Sequence, residues 1–147
     1  MTLSLAIRFL HVLSAALWMG SGLFWPGALR RAVALGSPHP SPALAQARVG
    51  LGLDLGAGAA TVVTGLVYAS PLGGVSMRAG ILLGLTLALV RLALLFALAR
   101  PSLRRVADAV GAGDIETARA VSRRLPAYAG SAHLLWLLAL ATMVFAI

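Results

Sequence analysis

The pattern of apolar and polar positions divides the chain into four long apolar stretches separated by more polar segments. The stretches run approximately over residues 3–25, 49–69, 79–99 and 127–147. Each contains about 20 residues, which at about 1.5 Å per helical residue are enough to cross a hydrocarbon layer of about 30 Å. The pattern therefore predicts an all-α polytopic membrane protein. We expect an antiparallel bundle of four transmembrane helices, forming a single domain over residues 1–147.

The segments between the stretches predict different connections. Three prolines, Pro38, Pro40 and Pro42, predict a turn-rich loop after the first span. A short link at Gly73 and Gly74 makes spans two and three a predicted hairpin.

The segment between spans three and four is polar but helical in its spacing. Arg104 and Asp108 are placed to interact as an i, i+4 pair, and the sequence Gly111–Asp114 supplies a helix break followed by an N-cap. A single apolar face follows, formed by Ile115, Ala118, Val121 and Leu125. We expect a cytoplasmic helical segment that lies along the membrane surface or docks on a partner.

The distribution of arginines orients the predicted bundle. They concentrate in the first and third connections, at positions Arg30, Arg31, Arg48, Arg100, Arg104, Arg105, Arg119, Arg123 and Arg124. The opposite side has Arg8 and Arg78. The positive-inside rule therefore predicts cytoplasmic connections, extracytoplasmic termini and a location in the bacterial inner membrane.

Composition narrows the possible functions. A content of 60% hydrophobic and 11% charged residues, with a mean hydropathy of +0.93, belongs to membrane proteins. The net charge of +8 is explained by topology and anionic lipid head groups, so the predicted partner is the lipid bilayer and no nucleic acid is required. The chain has no cysteine, which excludes disulfides and thiolate sites. It also shows no hydrolase triad, phosphate loop or paired carboxylates, and these observations favour a protein without catalytic activity of its own.

Four polar side chains within the predicted spans are the candidate site residues: His11, Asp54, Arg91 and His133. Counting the helical rise puts Asp54, His133 and Arg91 about 8, 9 and 12 Å from the inner boundary, and His11 at a similar depth from the outer one. The inner three are therefore expected to cluster. The cluster could be an Asp54–Arg91 ion pair that sets helix register, or a site where Arg91 binds a haem propionate or lipid phosphate beside Asp54 and His133.

The histidines also suggest a cofactor. Haem held by both His11 and His133 requires the two rings at one height, and their predicted separation of about 10 Å argues against it. Either histidine alone could ligate haem or a metal. Met143 and Met77, both predicted near the outer side, could complete a His11 site for haem or copper.

Glycines in the second span indicate close packing. Gly50, Gly52, Gly56 and Gly58 cluster there, and Gly52 and Gly56 form a G-x-x-x-G step. These small residues predict the close approach of a neighbouring helix or of a flat cofactor.

The first span carries a family resemblance. The pattern of His11, Trp18, Gly20, Gly22 and Pro26 resembles the opening helix of the CopD-type copper-resistance membrane proteins and of the HemJ-type protoporphyrinogen oxidases. The resemblance covers about a sixth of the chain and implies a haem or metal role for the first-helix histidine. The HemJ type is expected to carry a lysine in the third span and an arginine after the proline. This chain has Arg91 and Gly27 there, which argues against porphyrinogen oxidation.

Three hypotheses follow. The protein could be a b-type haem-binding subunit or assembly partner of a respiratory membrane complex, with His11, His133, Arg91 and Asp54 at the cofactor. It could be a CopD-like copper handler that uses His11, His133 or Met143. It could also be an accessory subunit without a cofactor, packing on a larger membrane enzyme or on further copies of itself.

Overall fold

A computed structural model describes residues 3–70 and 78–145. Its four long helical segments, each apolar enough to cross a membrane, are Leu3–Leu35, Pro40–Tyr68, Ala79–Gly111 and Ile115–Val144. The described residues contain no β-strand. The structure thus confirms an all-α chain with four candidate membrane spans. The predicted link at Gly73 and Gly74 and the predicted ligand Met77 lie outside the described residues.

The first long segment is interrupted inside the predicted span. Helix α1 covers Leu3–Ser21 and helix α2 covers Trp25–Leu35, with a non-helical step over residues 22–24. The predicted span over residues 3–25 therefore contains a helix end. Trp18 is the single buried residue of α1, because most of the helix presents large apolar side chains on the outside of the bundle, as expected for a surface that faces lipid.

Helix α3, Pro40–Tyr68, begins earlier than the predicted second span. The connection before it is a turn of residues 36–39, shorter than the proline-rich loop predicted from the sequence. Pro40 and Pro42 lie in the first turn of α3, where backbone N–H groups have no partner within the helix and proline is tolerated. These two prolines therefore start a helix and do not prolong the loop.

The third long segment is continuous over Ala79–Gly111. Helix α4, Ala79–Leu94, passes through a π-helical turn, Leu95–Ala99, into helix α5, Arg100–Gly111. Pro101 lacks an N–H group and would clash with the carbonyl of residue 97 in a regular helix, and the wider turn before it relieves that conflict. The segment's 33 residues correspond to about 50 Å, so its arginine-rich end extends beyond a hydrocarbon core of about 30 Å.

Helices α6, Ile115–Ser122, and α7, Leu125–Val144, complete the fold. The predicted break and N-cap are confirmed: Gly113 adopts a φ of +75°, and the Asp114 carboxylate accepts a hydrogen bond from Thr117 N at 3.0 Å. The prediction for the apolar face was wrong. Ala118 and Leu125 are buried in the chain's own core, so this face is covered by neighbouring helices and is not left for the membrane surface or a partner.

Arg104 and Asp108, one helical turn apart in α5, were predicted to interact. The described part of the chain shows no ion pair between them. Both side chains are exposed, where the attraction between single charges is too weak to fix two long side chains in one geometry.

The core is divided between the two ends of the bundle. At the arginine-rich end, which we call the basic end, α2, α3, α5 and α6 enclose a large apolar cluster that includes Leu29, Val33 and Val106. Toward the opposite end the buried cluster is small and consists of Trp18, Ala57 and Ala88. Because lipid is as apolar as leucine, the hydrophobic effect contributes little to the association of helices within a membrane. Packing at this end therefore depends on small residues and polar contacts.

The first long segment, comprising α1 and the start of α2, packs antiparallel to α3 in a regular register. A side-chain carbon added to Gly50 would lie 2.6 Å from Trp25, one added to Gly58 would lie 2.6 Å from Trp18, and one added to Gly65 would lie 3.0 Å from His11. The contacting residues therefore run in opposite directions along the two segments. Helix α4 also packs closely against α7, where the Met143 side chain contacts Gly84.

The predicted close approach of a neighbouring helix is confirmed at Gly50 and Gly58 but not at Gly52 and Gly56. A side-chain carbon added at either of the latter two positions would meet no atom within 4 Å. The face of α3 that contacts the first long segment follows Gly50, Asp54 and Gly58 in steps of four residues. Positions two residues away therefore point toward the other side of the helix.

Candidate functional site

The predicted inner residues form one cluster around a buried ion pair. Arg91 Nη2 donates to Asp54 Oδ1 over 2.9 Å, and the two side chains are 0% and 2% exposed. The Arg91 guanidinium also lies over the Trp18 ring, with Cζ 4.3 Å from the ring centroid. The predicted Asp54–Arg91 pair is therefore confirmed, and Trp18 joins it as a partner that the sequence did not indicate.

His133 completes the cluster from α7. Its Nδ1 lies 2.7 Å from Ala129 O, and its Nε2 lies 3.0 Å from Met19 O. A side-chain carbon added to Gly22 would lie 2.6 Å from Asp54 Oδ2 and 3.0 Å from His133 Cε1, so both side chains meet at this glycine. Because each ring nitrogen of His133 already faces a carbonyl oxygen, neither is free to hold a metal in this arrangement.

The cluster lies where the first helix is broken. In a continuous helix, Trp18 O and Met19 O would accept hydrogen bonds from the backbone N–H groups of residues 22 and 23. Here Arg91 Nη2 donates to Trp18 O at 3.3 Å, and His133 Nε2 lies within hydrogen-bonding distance of Met19 O. Ser21 Oγ also donates to Trp18 O, at 3.1 Å. Side chains thus contact both carbonyls at the negative end of α1, in a region where lipid offers no hydrogen-bond donor.

Sequence reasoning did not find this break, although one signal was present. Pro26 lies in the first turn of α2. A proline at this position cannot donate to the carbonyl of Gly22, four residues earlier, and its ring would clash with it in a regular helix. Gly22 is buried and leaves room for Asp54 and His133 at the break.

The cluster also contains hydrogen-bond donors without a protein acceptor. Within the described residues, Arg91 Nε and Nη1 are buried and have no hydrogen-bond partner. Buried polar atoms in proteins are nearly always satisfied. The cluster can therefore accommodate a further acceptor, such as a water molecule or an anionic group.

His11 occupies a separate site toward the opposite end, where α3 holds its ring. His11 Nδ1 lies 3.1 Å from Thr61 O and 3.1 Å from Thr64 Oγ1. A carbonyl oxygen only accepts hydrogen bonds, so Nδ1 carries the proton and Nε2 keeps its lone pair. Metal-binding histidines show the same arrangement, with one ring nitrogen donating to a backbone carbonyl and the other ligating.

His11 and Met143 line the same cavity. It lies between the α1/α3 pair and the α4/α7 pair and has a volume of about 90 Å³. Trp18, Trp136 and small residues form most of the remaining wall, and Ala88 and Ala139 are among these. A cavity of this size can hold a metal ion, whereas pockets for organic cofactors usually measure about 300–1,000 Å³. A porphyrin would require the two helix pairs to separate.

His11 and His133 do not share a site. His133 contacts Met19, eight residues beyond His11 on α1, which corresponds to about 12 Å along the helix. The described residues contain no group of three or more His, Cys, Asp or Glu side chains able to hold a metal. Of the predicted metal ligands, the structure brings together His11 and Met143 and leaves His133 apart from both.

No protein-family model matches this chain, and no curated protein or solved structure is similar enough to it to indicate a family. Its four long apolar helices identify a small multi-pass membrane protein. Its polar residues form one buried cluster around Asp54 and Arg91 and one cavity shared by His11 and Met143.

Proposed function

We propose that the protein binds a soft metal ion such as Cu(I) through His11 and Met143. One observation carries this proposal: His11 Nδ1 lies 3.1 Å from the acceptor Thr61 O, on a residue that shares a cavity with Met143. This contact favours a proton on Nδ1 and leaves the lone pair of Nε2 for a metal. Imidazole nitrogen and thioether sulfur are ligands that Cu(I) accepts readily. The two ligands come from opposite helix pairs, so metal binding would tie the pairs together.

The distribution of arginines supports an orientation for this site. The basic end faces the cytoplasm under the positive-inside rule, and both termini then face the extracytoplasmic side of a bacterial inner membrane. His11 and Met143 lie toward that outer side. The protein would therefore take up its metal from outside the cell membrane, as a copper handler.

A b-type haem is the second candidate, and the unpartnered donors of Arg91 favour it. His11 and Met143 would hold the haem iron after separation of the two helix pairs. Arg91 Nε and Nη1 are free to bind a propionate, and Trp18 connects Arg91 to the cavity wall. The absence of cysteine leaves no thiol for covalent haem attachment. This role would suit a subunit or assembly partner of a respiratory membrane complex.

Copper titration of the purified protein tests the first proposal. In competition with a chromogenic Cu(I) chelator, we expect about one equivalent of Cu(I) to bind to the wild type and binding to be lost in His11→Ala and Met143→Leu. His39→Ala and Met19→Leu are matched controls, because both residues are exposed and lie outside the cavity. Uptake that persists in His11→Ala would overturn the proposal.

The same preparation tests the haem alternative. A reducible Soret band that weakens in His11→Ala would favour haem over copper, and a colourless preparation would count against haem. Protein that binds neither group and co-purifies with a larger membrane complex would favour the accessory-subunit hypothesis.

A further inference from the structure

A basic groove separates α3 from α5 at the basic end of the bundle. It has a volume of about 520 Å³ and is distinct from the cavity at His11. Its polar wall consists of Arg48, Arg100, Arg104 and Asp108. Its apolar wall consists of Leu51, Leu55, Leu103 and Ala107, and Gly52 keeps the groove open because it has no side chain.

The groove carries positive charge that the protein does not neutralise. Three arginines face one carboxylate, and none of the three forms an ion pair or a hydrogen bond within the described residues. Arg100 and Arg104 are one helical turn apart, so their guanidinium groups share a face of α5, and Arg48 approaches from α3. Like charges held on one groove repel each other, and an anion between them would relieve that repulsion.

The position of the groove relative to the hydrocarbon region indicates which anion fits. Arg48 directly precedes the apolar stretch that begins at residue 49, and Arg100 directly follows the stretch that ends at residue 99. In a membrane spanned by these stretches, both guanidinium groups would lie at the depth of lipid head groups. The half-buried Leu55 would continue the groove from there into the hydrocarbon region. A soluble anion would use the arginines alone, whereas a phospholipid would use both walls.

We propose that this groove binds one anionic phospholipid, with its phosphate between Arg48, Arg100 and Arg104 and an acyl chain along the half-buried Leu55. The arginines place the groove in the cytoplasmic leaflet, which holds the anionic lipids that basic sites between membrane helices recognise. Bound lipid would join α3, near Arg48, to α5. The site is independent of any metal or haem at His11.

Native mass spectrometry in nanodiscs tests the proposal, with equal amounts of phosphatidylglycerol and phosphatidylcholine. We expect the wild type to retain phosphatidylglycerol selectively. Arg48→Gln combined with Arg104→Gln should lower its affinity about 30-fold, from about five-fold for each arginine near the surface. Arg30→Gln combined with Arg31→Gln is the matched control. It removes the same charge from exposed positions on α2 that do not line the groove.

A variant that keeps all the arginines distinguishes loss of the lipid site from misfolding. Asp108→Asn removes the single carboxylate from the groove and should raise phosphatidylglycerol retention about five-fold. Three results would overturn the proposal: equal retention of both lipids by the wild type, equal losses in the two arginine double variants, or no gain in Asp108→Asn. Release of the lipid by millimolar inorganic phosphate would assign the groove to a soluble anion instead.

Discussion

The buried pair of Asp54 and Arg91 makes a quantitative prediction about stability. In Arg91→Met, the Asp54 carboxylate would remain 2% exposed with no cation beside it. Removing one partner of a buried ion pair costs about 3–5 kcal/mol, because the other charge is left without compensation. We therefore expect the ratio of folded to unfolded protein to fall between about a hundred-fold and several thousand-fold.

Removing both charges should be less harmful than removing one. Combining Asp54→Leu with Arg91→Met replaces the pair by apolar side chains, and such replacements of buried pairs are often neutral or stabilising. Some loss will remain, because Arg91 also donates to Trp18 O and lies over the Trp18 ring. We expect the double variant to be more stable than Arg91→Met by about 2 kcal/mol or more.

Reversible unfolding in mixed micelles measures this difference. Increasing the fraction of sodium dodecyl sulfate, with helicity followed by circular dichroism, gives a free energy of unfolding for the wild type, both single variants and the double variant. The four values yield the coupling energy of the pair. A coupling of about 0.6 kcal/mol, the average for polar contacts between membrane helices, would refute the argument that water is excluded from both charges.

Two further predictions concern the packing of α3 and the cap of α6. Gly58→Ala should destabilise the protein by about 1–3 kcal/mol, because the added carbon would lie 2.6 Å from Trp18. Gly56→Ala is the control and should be neutral or slightly stabilising. Equal effects of the two substitutions in the same micelle titration would contradict this packing. Hydrogen bonds from the side chain and backbone of Thr117 hold the pKa of Asp114 below its ordinary value of 3.8. The carboxylate therefore stabilises the folded state above about pH 3.8, and this stabilisation is lost as the pH falls through the lowered pKa. The stability difference between the wild type and Asp114→Ala should accordingly shrink in acid; a difference that is constant from pH 7 to pH 3 would contradict this.

The inner cluster could be predicted from the sequence because the prediction depended on the helical rise and on the choice of partner for Arg91. Helical rise sets the depth of each residue, and Asp54 is the one carboxylate within the predicted spans that can neutralise Arg91. The N-cap at Asp114 was predictable for a similar reason, since the signal and its effect lie within four residues of each other. Both predictions depend on local geometry or on having a single available partner.

The features that were missed depend on contacts between distant segments. Gly52 and Gly56 match a packing motif. The two tryptophans of the first segment fit instead against Gly50 and Gly58, and these contacts determine which face of α3 packs against that segment. The apolar face of α6 was assigned to the membrane surface because the sequence does not show that α2 and α5 cover it. Periodicity identifies an apolar face but does not identify what covers it.

The broken first helix changes which polar residue carries the functional hypothesis. Ionisable residues within a membrane are candidate functional groups by default. Arg91 and His133, however, contact the last carbonyls of α1 beside the break at Gly22, and Asp54 neutralises Arg91. These contacts account for the presence of the three side chains. His11 also joins α1 to α3 through Thr61 and Thr64, but this contact uses one ring nitrogen and leaves the other beside the cavity. The strongest site hypothesis accordingly belongs to His11, the residue with an unused ligand atom.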